Sequence, residues 1–490
     1  MHPSLPLETF EINCLRRDGI MNELNKSVTL GRGVVLAVLM VIGSGLLGLP
    51  GLIADSGTVD EVVFGWLFII LATMPLIQVC IRLGVKFPCT GGLFQYAREA
   101  VGEWGGYAVT ALACGSFILG EPAIALIGGE YIKHLFDMPD YGTHIIAFLL
   151  ITVMTFITIS GVRLVSVFNY VAVAVLLFLI GTIVVFNSDL FSSGVLFSAR
   201  ALYEGISGLE KASGHLNPCS IWKISALLFW AFQGWENMSF GLGELKDPEK
   251  NVSKVFWYSF VLTIFIYLTL AATSIGADAG GVPLTGASGL AELVKFTPHG
   301  RPLIWLMAIV ILANMTSWNF ASSRLLYASG KEEVLPAYLG KLSSKGQPMA
   351  SILSMYAAFV LVLLGTYVFR VPISALLMLV NQNYLLIYGF ILLSYWKVET
   401  GWRRLVYSAL SLISLSFLVS GFTWRILYSI TLTGLGYYGF VRNAKKQKIR
   451  EEKRRVSDYR EHISTGQVST GQVSTGDLVS LEISVKSGSE

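Results

Sequence analysis

The sequence predicts an all-α polytopic membrane protein, and three observations support that prediction. Of its 490 residues, 53% are hydrophobic and 14% are charged, whereas a soluble domain has about 25% charged residues. Apolar runs of about 20 residues, the length that crosses a bilayer as a helix, recur along the whole chain. Two of these runs, in corresponding places of the two halves, are interrupted by glycine clusters.

Twelve spans account for the apolar runs. Placing both termini on the inner side leaves most of the 36 lysine and arginine residues in inner segments, which is the bias that orients membrane proteins. The sequence therefore predicts an integral protein of the plasma (bacterial inner) membrane with both termini in the cytoplasm. The predicted spans are residues 33–54, 62–85, 104–127, 145–161, 164–187, 221–243, 255–277, 303–328, 350–369, 372–396, 405–421 and 423–441.

The first glycine cluster, Gly43-Ser44-Gly45, lies in the middle of the first span. Glycine is a poor helix former, and irregular backbone at membrane depth occurs only where it lines a cavity or is buried in protein. A break here frees backbone N–H groups, and the half-helix from Leu46 onward directs its positive end at the gap. That arrangement suits a carboxylate, and the alternative is a face of small residues for helix packing.

The second cluster, Phe232–Glu236 (FQGWE), lies in the sixth span and is followed by an inner loop at Glu244–Glu249 (ELKDPE). A pair of glycine-interrupted spans, one in each half, points to the binding site of a secondary transporter. Together with the first cluster and Pro50, these residues resemble the amino acid–polyamine–organocation (APC) superfamily of amino-acid permeases. Within it, the pattern is most similar to bacterial efflux permeases for neutral amino acids, namely branched-chain residues and methionine.

The resemblance implies two five-span repeats with broken helices 1 and 6, plus two extra helices. The repeats are inverted relative to each other because five is odd. The tandem repeat near the C-terminus is polar and of low complexity, which predicts disorder. The predicted domains are a cytoplasmic N-terminal segment (1–32), the first repeat (33–187), an external loop (188–220), the second repeat (221–396), two final spans (397–441) and a basic, then low-complexity cytoplasmic tail (442–490).

The resemblance also implies a substrate site at the two breaks. The first break would bind the carboxylate of an amino acid through backbone N–H groups, and the unwound backbone of the second would offer carbonyls to its amino group. Two aromatic rings there would line and occlude the pocket, with helix packing as the alternative for each. The candidate substrate-binding residues are Gly43, Ser44, Gly45, Trp230, Ala231, Phe232 and Gln233.

Two carboxylates within spans are candidates for gating or proton coupling: Glu236, after the second break, and Glu121, before Pro122 in the third span. An acid at membrane depth is costly and is a functional hypothesis by default, and burial favours its protonated form. For Glu121 two alternatives stay open. One alternative to a functional role is a neutral acid that is hydrogen-bonded to backbone freed near Pro122. The other is a residue at a helix end that faces water.

Other polar residues within the spans have simpler interpretations. Asn314, Trp318 and Asn319 are expected to form hydrogen bonds between helices, and Arg324 is expected to face water or headgroups at the inner end of the eighth span. Some APC relatives carry a lysine in the fifth helix where others bind sodium. That position falls near Leu176, and residues 171–186 contain no ionisable group, so the resemblance does not extend to that lysine.

The sequence also argues against other classes of protein. The six histidines show no HxxxH or HExxH spacing and the five cysteines no CxxC, so neither an enzyme nor a metal or cofactor site is expected. The dispersed basic residues argue against nucleic acid as a partner. Because few ionisable groups lie at mid-membrane depth, we expect a carrier of neutral aliphatic amino acids, working by alternating access in the lipid bilayer. Proton-coupled efflux is favoured over uptake or exchange, and an amino-acid sensor is the further alternative.

Overall fold

The structure, a computed structural model, describes residues 26–464 except 44, 46–47, 51–52, 54–55, 89–91, 137, 208–215, 283, 285–293, 295–299 and 420–422. Every regular element within the described residues is a helix, apart from an isolated parallel bridge between Val28 and Leu245. The predicted all-α class is thereby confirmed.

Fourteen α-helices lie in the described part of the chain, and short 3-10 helices follow α8 and α10. The α-helices are α1 Leu30–Val41, α2 Val59–Lys86, α3 Gly92–Val101, α4 Glu103–Phe136, α5 Tyr141–Ile159, α6 Val162–Phe186, α7 Ser188–Ser207, α8 Pro218–Leu228, α9 Pro248–Ala279, α10 Gly300–Lys331, α11 Met349–Phe369, α12 Ile373–Val398, α13 Gly401–Val419 and α14 Ile426–Ser464, and the 3-10 helices are Phe229–Phe232, Glu236–Glu244 and Ala337–Gly340.

Nine of the described helices, α2, α4 to α6 and α9 to α13, are long and apolar enough to cross a bilayer. They coincide with predicted spans two to five and seven to eleven. The first and sixth spans are divided instead, so that α1 has only 12 residues and α8 only 11. Gly161, with a φ of 102°, separates α5 from α6, which places the junction between the fourth and fifth spans.

The packing of the helices shows the two repeats directly. Helices α1, α2, α4, α5 and α6 correspond in order to α8, α9, α10, α11 and α12. Helix α1 packs on α9 as α8 packs on α2, α4 packs on α12 as α10 packs on α6, and α10 packs on α5 as α11 packs on α4. These three pairs of contacts are preserved when each helix is exchanged for its counterpart, and the described parts of the two broken spans are buried.

The segment predicted as an external loop is largely helical, because α7 packs lengthwise against α9. A Cβ atom on Gly194 would lie 1.8 Å from the carbonyl oxygen of Ala272, and one on Gly276 would lie 1.8 Å from that of Leu190. The two backbones therefore touch in an antiparallel register. Both glycines serve close helix packing.

Helix α14 begins in the twelfth span and continues to Ser464. The basic part of the predicted tail is thus helical, and the disorder predicted for the tandem repeat stays a prediction. Lysine, arginine and glutamate are good helix formers, and Arg450 is paired with Glu333 at 2.6 Å. Residues 465–490, with nearly all of the tandem repeat, lie outside the described residues.

Candidate functional site

Both helix interruptions fall at the predicted glycines. Helix α1 ends at Val41, and Ile42 turns to extended backbone with φ −87° and ψ 124°. In the sixth span the 3-10 turn ends at Phe232, Gln233 is extended, and Gly234 has a φ of 120°. Only glycine adopts that φ without strain, so Gly234 allows the chain to leave one helical piece and enter the next.

The two breaks are in backbone contact with each other. A Cβ atom on Gly45 would lie 2.7 Å from the Cα of Ala231, and one on Gly234 would lie 2.3 Å from the carbonyl oxygen of Met40. Neither position has room for a side chain. The structure therefore brings the break predicted to bind a carboxylate against the break predicted to bind an amino group.

Gly43 packs against α10 rather than facing open space. A Cβ atom on Gly43 would lie 2.2 Å from the Cγ and 2.4 Å from the Oδ1 of Asn314. Glycine is therefore needed at this position because the break packs closely on α10. Ser44, the middle residue of the predicted carboxylate site, lies outside the described residues.

The last three carbonyls of α1 each receive a hydrogen bond from a side chain. The donors are Nδ2 of Asn314, Nε1 of Trp318 and the hydroxyl of Tyr267, at 2.6, 2.6 and 3.1 Å from the carbonyl oxygens of residues 39, 40 and 41 respectively. Carbonyls at a helix end have no partner within the helix. These three donor side chains, which we call the carbonyl cap, supply the partners.

Polar side chains hold the second break as well. The single hydroxyl hydrogen of Tyr267 is shared between the carbonyl of Val41 and the closer carbonyl of Ala231, and Nε2 of Gln233 donates to Oδ1 of Asn381. The Ala231 carbonyl, predicted to meet the amino group of a substrate, is thus bonded by the protein itself in this conformation. A ligand would have to compete with Tyr267 for that oxygen.

The two candidate aromatic rings belong to different clusters. The ring of Phe232 lies 5.1 Å from that of Tyr267 and 6.4 Å from that of Trp66, between centroids. The ring of Trp230 lies 5.7 Å from that of Trp318. Both are buried. This packing agrees with the alternative interpretation of each ring, and their position beside the break keeps both as candidates to line a pocket.

Glu236 is buried directly at the second break. Its Oε1 accepts the backbone N–H of Gly234 at 2.9 Å, and its Oε2 accepts the hydroxyl of Tyr388 from α12. The carboxylate therefore binds the one N–H group of the reversed-φ glycine and ties the break to α12. These contacts fit the predicted gating role, because movement of α12 relative to the sixth span must change them.

Glu121 lies fully buried on α4, and neither of its carboxylate oxygens has a hydrogen-bond partner among the described residues. Its neighbour Gly120 faces the aromatic rings at the breaks: a Cβ atom there would lie 3.1 Å from the ring of Trp318 and 3.8 Å from that of Trp230. Both alternatives considered for Glu121, a bond to freed backbone and exposure to water at a helix end, disagree with this environment.

The expectation for Arg324 was wrong, because its side chain is 1% exposed. Its Nε donates to Oε1 of Glu244 at 2.8 Å, and its guanidinium carbon lies 4.0 Å from the centroid of the Phe320 ring. Nη2 lies 3.5 Å from Oε1 of Gln347. The end of the sixth span supplies a buried counter-charge that is 80 positions away in sequence, which no local pattern reveals.

Sequence reasoning missed Tyr267, which bonds both breaks, and Tyr388, which bonds Glu236 at the second break. One signal was available, since a tyrosine hydroxyl at the depth of an apolar span must find a hydrogen-bond partner when it is buried. Asn314 and Trp318 were predicted to bond between helices, and the structure confirms this and identifies the acceptors. Asn319 likewise donates to the Thr158 hydroxyl at 3.1 Å.

These features define a membrane transporter of the broken-helix type. They are the two five-helix repeats, the two broken spans in contact and the buried polar side chains around the breaks. The comparison with protein families agrees. The chain belongs to the amino acid permease family, which it matches over residues 34–446. It is therefore an integral membrane transport protein and not an enzyme, and the predicted superfamily is confirmed.

Three relatives illustrate the family's range. The chain is 25% identical over 431 residues to the uncharacterized amino acid permease YecA of Bacillus subtilis, covering 86% of this chain and 96% of the relative. It is 22% identical over 420 residues (85% and 96%) to the L-methionine/branched-chain amino acid exporter YjeH of Escherichia coli. It is 23% identical over 412 residues (76% and 82%) to the branched-chain amino acid permease BcaP of Lactococcus lactis.

Proposed function

We propose that this chain is a secondary active transporter of neutral aliphatic amino acids that works by alternating access and exports its substrate in exchange for protons. The observation that carries the proposal is the backbone contact between the two breaks, Gly45 against Ala231 and Gly234 against Met40. Half-helix ends and unwound backbone at such a site are the groups that bind the charged ends of an amino acid.

The proposed site is built mostly from backbone. Freed N–H groups of Gly43, Ser44 and Gly45 bind the carboxylate, and carbonyls of residues 231–233 bind the amino group. Since Tyr267 bonds the Ala231 carbonyl, the amino group displaces that hydroxyl or uses the neighbouring carbonyls. Backbone contacts select amino acids as a class, so the surrounding side chains must choose among them.

A neutral, apolar side chain is the best match for those surroundings. The rings of Trp230, Phe232 and Trp318 are buried beside the breaks, and the nearest buried arginine on α10, Arg324, is already paired with Glu244. Two relatives support this choice, since one is named for methionine and branched-chain export and another for branched-chain permease activity. Because only the first of these relatives has a name that states a direction, export by this chain is a proposal that a transport measurement must test.

Glu121 and Glu236 have separate roles in coupling transport to protons. Glu121 has no hydrogen-bond partner among the described residues, so a charge on it would be uncompensated and costly. We assign the transported proton to Glu121 and control of the break to Glu236, whose oxygens bind Gly234 and Tyr388. The membrane is the plasma membrane, and both termini lie in the cytoplasm.

Ligand-induced thermal stabilisation of the detergent-purified protein tests the substrate class. A ligand that binds only the folded state stabilises it by about 2.7 kcal/mol at a hundred times its Kd. We expect leucine, isoleucine, valine or methionine to raise Tm, and basic or acidic amino acids to leave it unchanged. A shift with a basic amino acid or a polyamine would contradict the neutral pocket.

Proteoliposomes with an imposed pH difference test the coupling. We expect wild-type transport of the stabilising amino acid to follow the proton gradient, and Glu121→Gln to bind substrate yet exchange it independently of pH. Glu61→Gln is the matched control, because Glu61 is a buried acid that only accepts backbone N–H groups of Thr58 and Asn217. Gradient-driven transport by Glu121→Gln would reject the assignment of the transported proton to Glu121. No gradient effect in the wild type would favour plain exchange.

A further inference from the structure

The inner half of the broken first span ends in what would ordinarily be a cation site. Carbonyls at the C-terminal end of a half-helix carry partial negative charge, and in secondary transporters such carbonyls beside unwound backbone coordinate sodium. Here the carbonyls of residues 39–41 lie at the end of α1, and that of Met40 is in contact with Gly234 of the second break.

Each of these three carbonyls already accepts a hydrogen bond from the carbonyl cap. The indole N–H of Trp318 and the amide Nδ2 of Asn314 act only as donors, so both direct the positive ends of their dipoles at the carbonyls. The orientation of Asn314 follows from its contacts, because only Nδ2 can bond to a carbonyl and Oδ1 lies beside Gly43. A cation approaching the oxygens of Leu39 and Met40 from the side of α10 would meet N–H groups.

The cap also connects the parts of the molecule that a bound cation would connect. Asn314 and Trp318 are one turn apart on α10 and are buried. Tyr267 lies on α9 with its ring 5.8 Å from that of Trp66, and its hydroxyl bonds both Val41 and Ala231. Three side chains thus join the first break to α9, to α10 and to the second break.

We propose that the carbonyl cap takes the place of a coupling cation, so that this chain assembles its site without bound sodium. Asn314, Trp318 and Tyr267 are then positioning residues, and Asn314 decides whether the end of α1 is closed by a donor or open to a metal ion. The inference rests on the proposed function where it concerns transport. Its test uses stability, which needs no substrate.

The experiment compares melting of the wild type and Asn314→Asp in sodium chloride and in choline chloride of equal ionic strength at pH 8. We expect the wild-type Tm to be the same in both salts. In Asn314→Asp a carboxylate replaces the amide that donates to the Leu39 carbonyl, so the variant should melt lower in choline. Sodium should then restore Tm in a saturable manner, because the carboxylate and carbonyls together form a cation site.

Asn319→Asp is the matched control. Asn319 lies on the same helix, is equally buried and bonds the Thr158 hydroxyl instead of α1. This variant should lose stability without any difference between sodium and choline. Trp318→Phe provides a second variant in case Asn314→Asp does not fold. It removes the donor to Met40 and retains an aromatic ring, so sodium should stabilise it relative to choline.

Three results would overturn the inference: sodium-specific stabilisation of the wild type, an equal sodium response in the Asn314 and Asn319 variants, or no sodium response in any folded cap variant. Failure of every amino acid to shift the wild-type Tm would count against the proposed function alone, since the salt comparison is read on unliganded protein. The two failures are therefore distinguishable.

Discussion

At the scale of single residues, Gly234 shows how much one backbone angle decides. Its φ of 120° and the Met40 carbonyl 2.3 Å from any Cβ leave no room for alanine. Strain at such a φ costs on the order of 1–3 kcal/mol, and the steric clash adds to it. We therefore expect Gly234→Ala to lower Tm strongly or to prevent recovery of folded protein in a detergent melt.

Gly389→Ala is the control for that substitution. Gly389 lies within α12, and an added Cβ would meet nothing within 4 Å. Alanine stabilises a helix relative to glycine by roughly 0.5–1 kcal/mol, so Tm should stay the same or rise slightly. Equal losses in both variants would mean that the close contact of the breaks is not needed. Gly43→Val should behave like Gly234→Ala, because Asn314 occupies the space that a side chain would need.

Tyr388 provides a second residue-scale prediction. Its hydroxyl is the side-chain donor to Glu236, and a hydrogen bond to a charged group contributes about 1.5–3 kcal/mol. Tyr388→Phe should lower Tm in the wild type and have little effect in Glu236→Gln, because residues in contact are energetically coupled. Thermal melts of the two single variants and the double variant measure this coupling, and additive losses would show that Glu236 does not depend on Tyr388.

At the scale of elements, the buried Arg324–Glu244 pair fastens α10 to the end of the sixth span. The same end holds the segment before α1, since the N–H of Val28 donates to the Glu244 carbonyl at 2.9 Å and the N–H of Lys246 donates to the Val28 carbonyl at 2.8 Å. The inner ends of both broken spans are thus joined in one cluster. Opening of the site toward this end must separate its members.

A double-mutant cycle on this pair is our element-scale prediction. Removing one partner of a buried ion pair leaves an uncompensated charge and typically costs 3–5 kcal/mol, whereas replacing both with apolar residues is often neutral. We expect Glu244→Leu and Arg324→Met each to lower Tm markedly, and the double variant to melt above both. A double variant less stable than either single variant would show that the charges themselves stabilise the cluster.

At the scale of the whole molecule, the predicted orientation rests on the twelve predicted spans and the distribution of basic residues. The start of α8 should lie outside, and Cys219 there is exposed while Cys80 in α2 is buried. A membrane-impermeant maleimide should therefore label Cys219 on intact cells, and Cys219→Ser should abolish the signal. The experiment reads orientation independently of transport.

Ser457→Cys in the Cys219→Ser background completes that measurement. Ser457 lies on the extension of α14, which the orientation places in the cytoplasm, so labelling should require permeabilised cells. The reverse pattern, with position 457 labelled on intact cells, would place the termini outside. Proton-driven export would then have to be reconsidered together with the orientation.

The positions of the breaks, the class of protein and most span limits could be predicted from sequence, because each depends on local composition. Glycine clusters interrupt helices wherever they occur, and 20 apolar residues cross a bilayer whatever their neighbours are. Helix α7 was not predicted, because its close backbone contact with α9 at Gly194 and Gly276 joins residues that are far apart in the sequence.

The environment of each polar group was decided only by the tertiary structure. Sequence identified Glu121 and Glu236 as acids at membrane depth, but it did not identify their partners: one has no bonding partner among the described residues, and the other holds Gly234 and Tyr388. The Arg324–Glu244 pair and the carbonyl cap join residues that are far apart in the chain. Hydrogen bonds and ion pairs depend on distances of about 3 Å, and only folding brings such residues within that range.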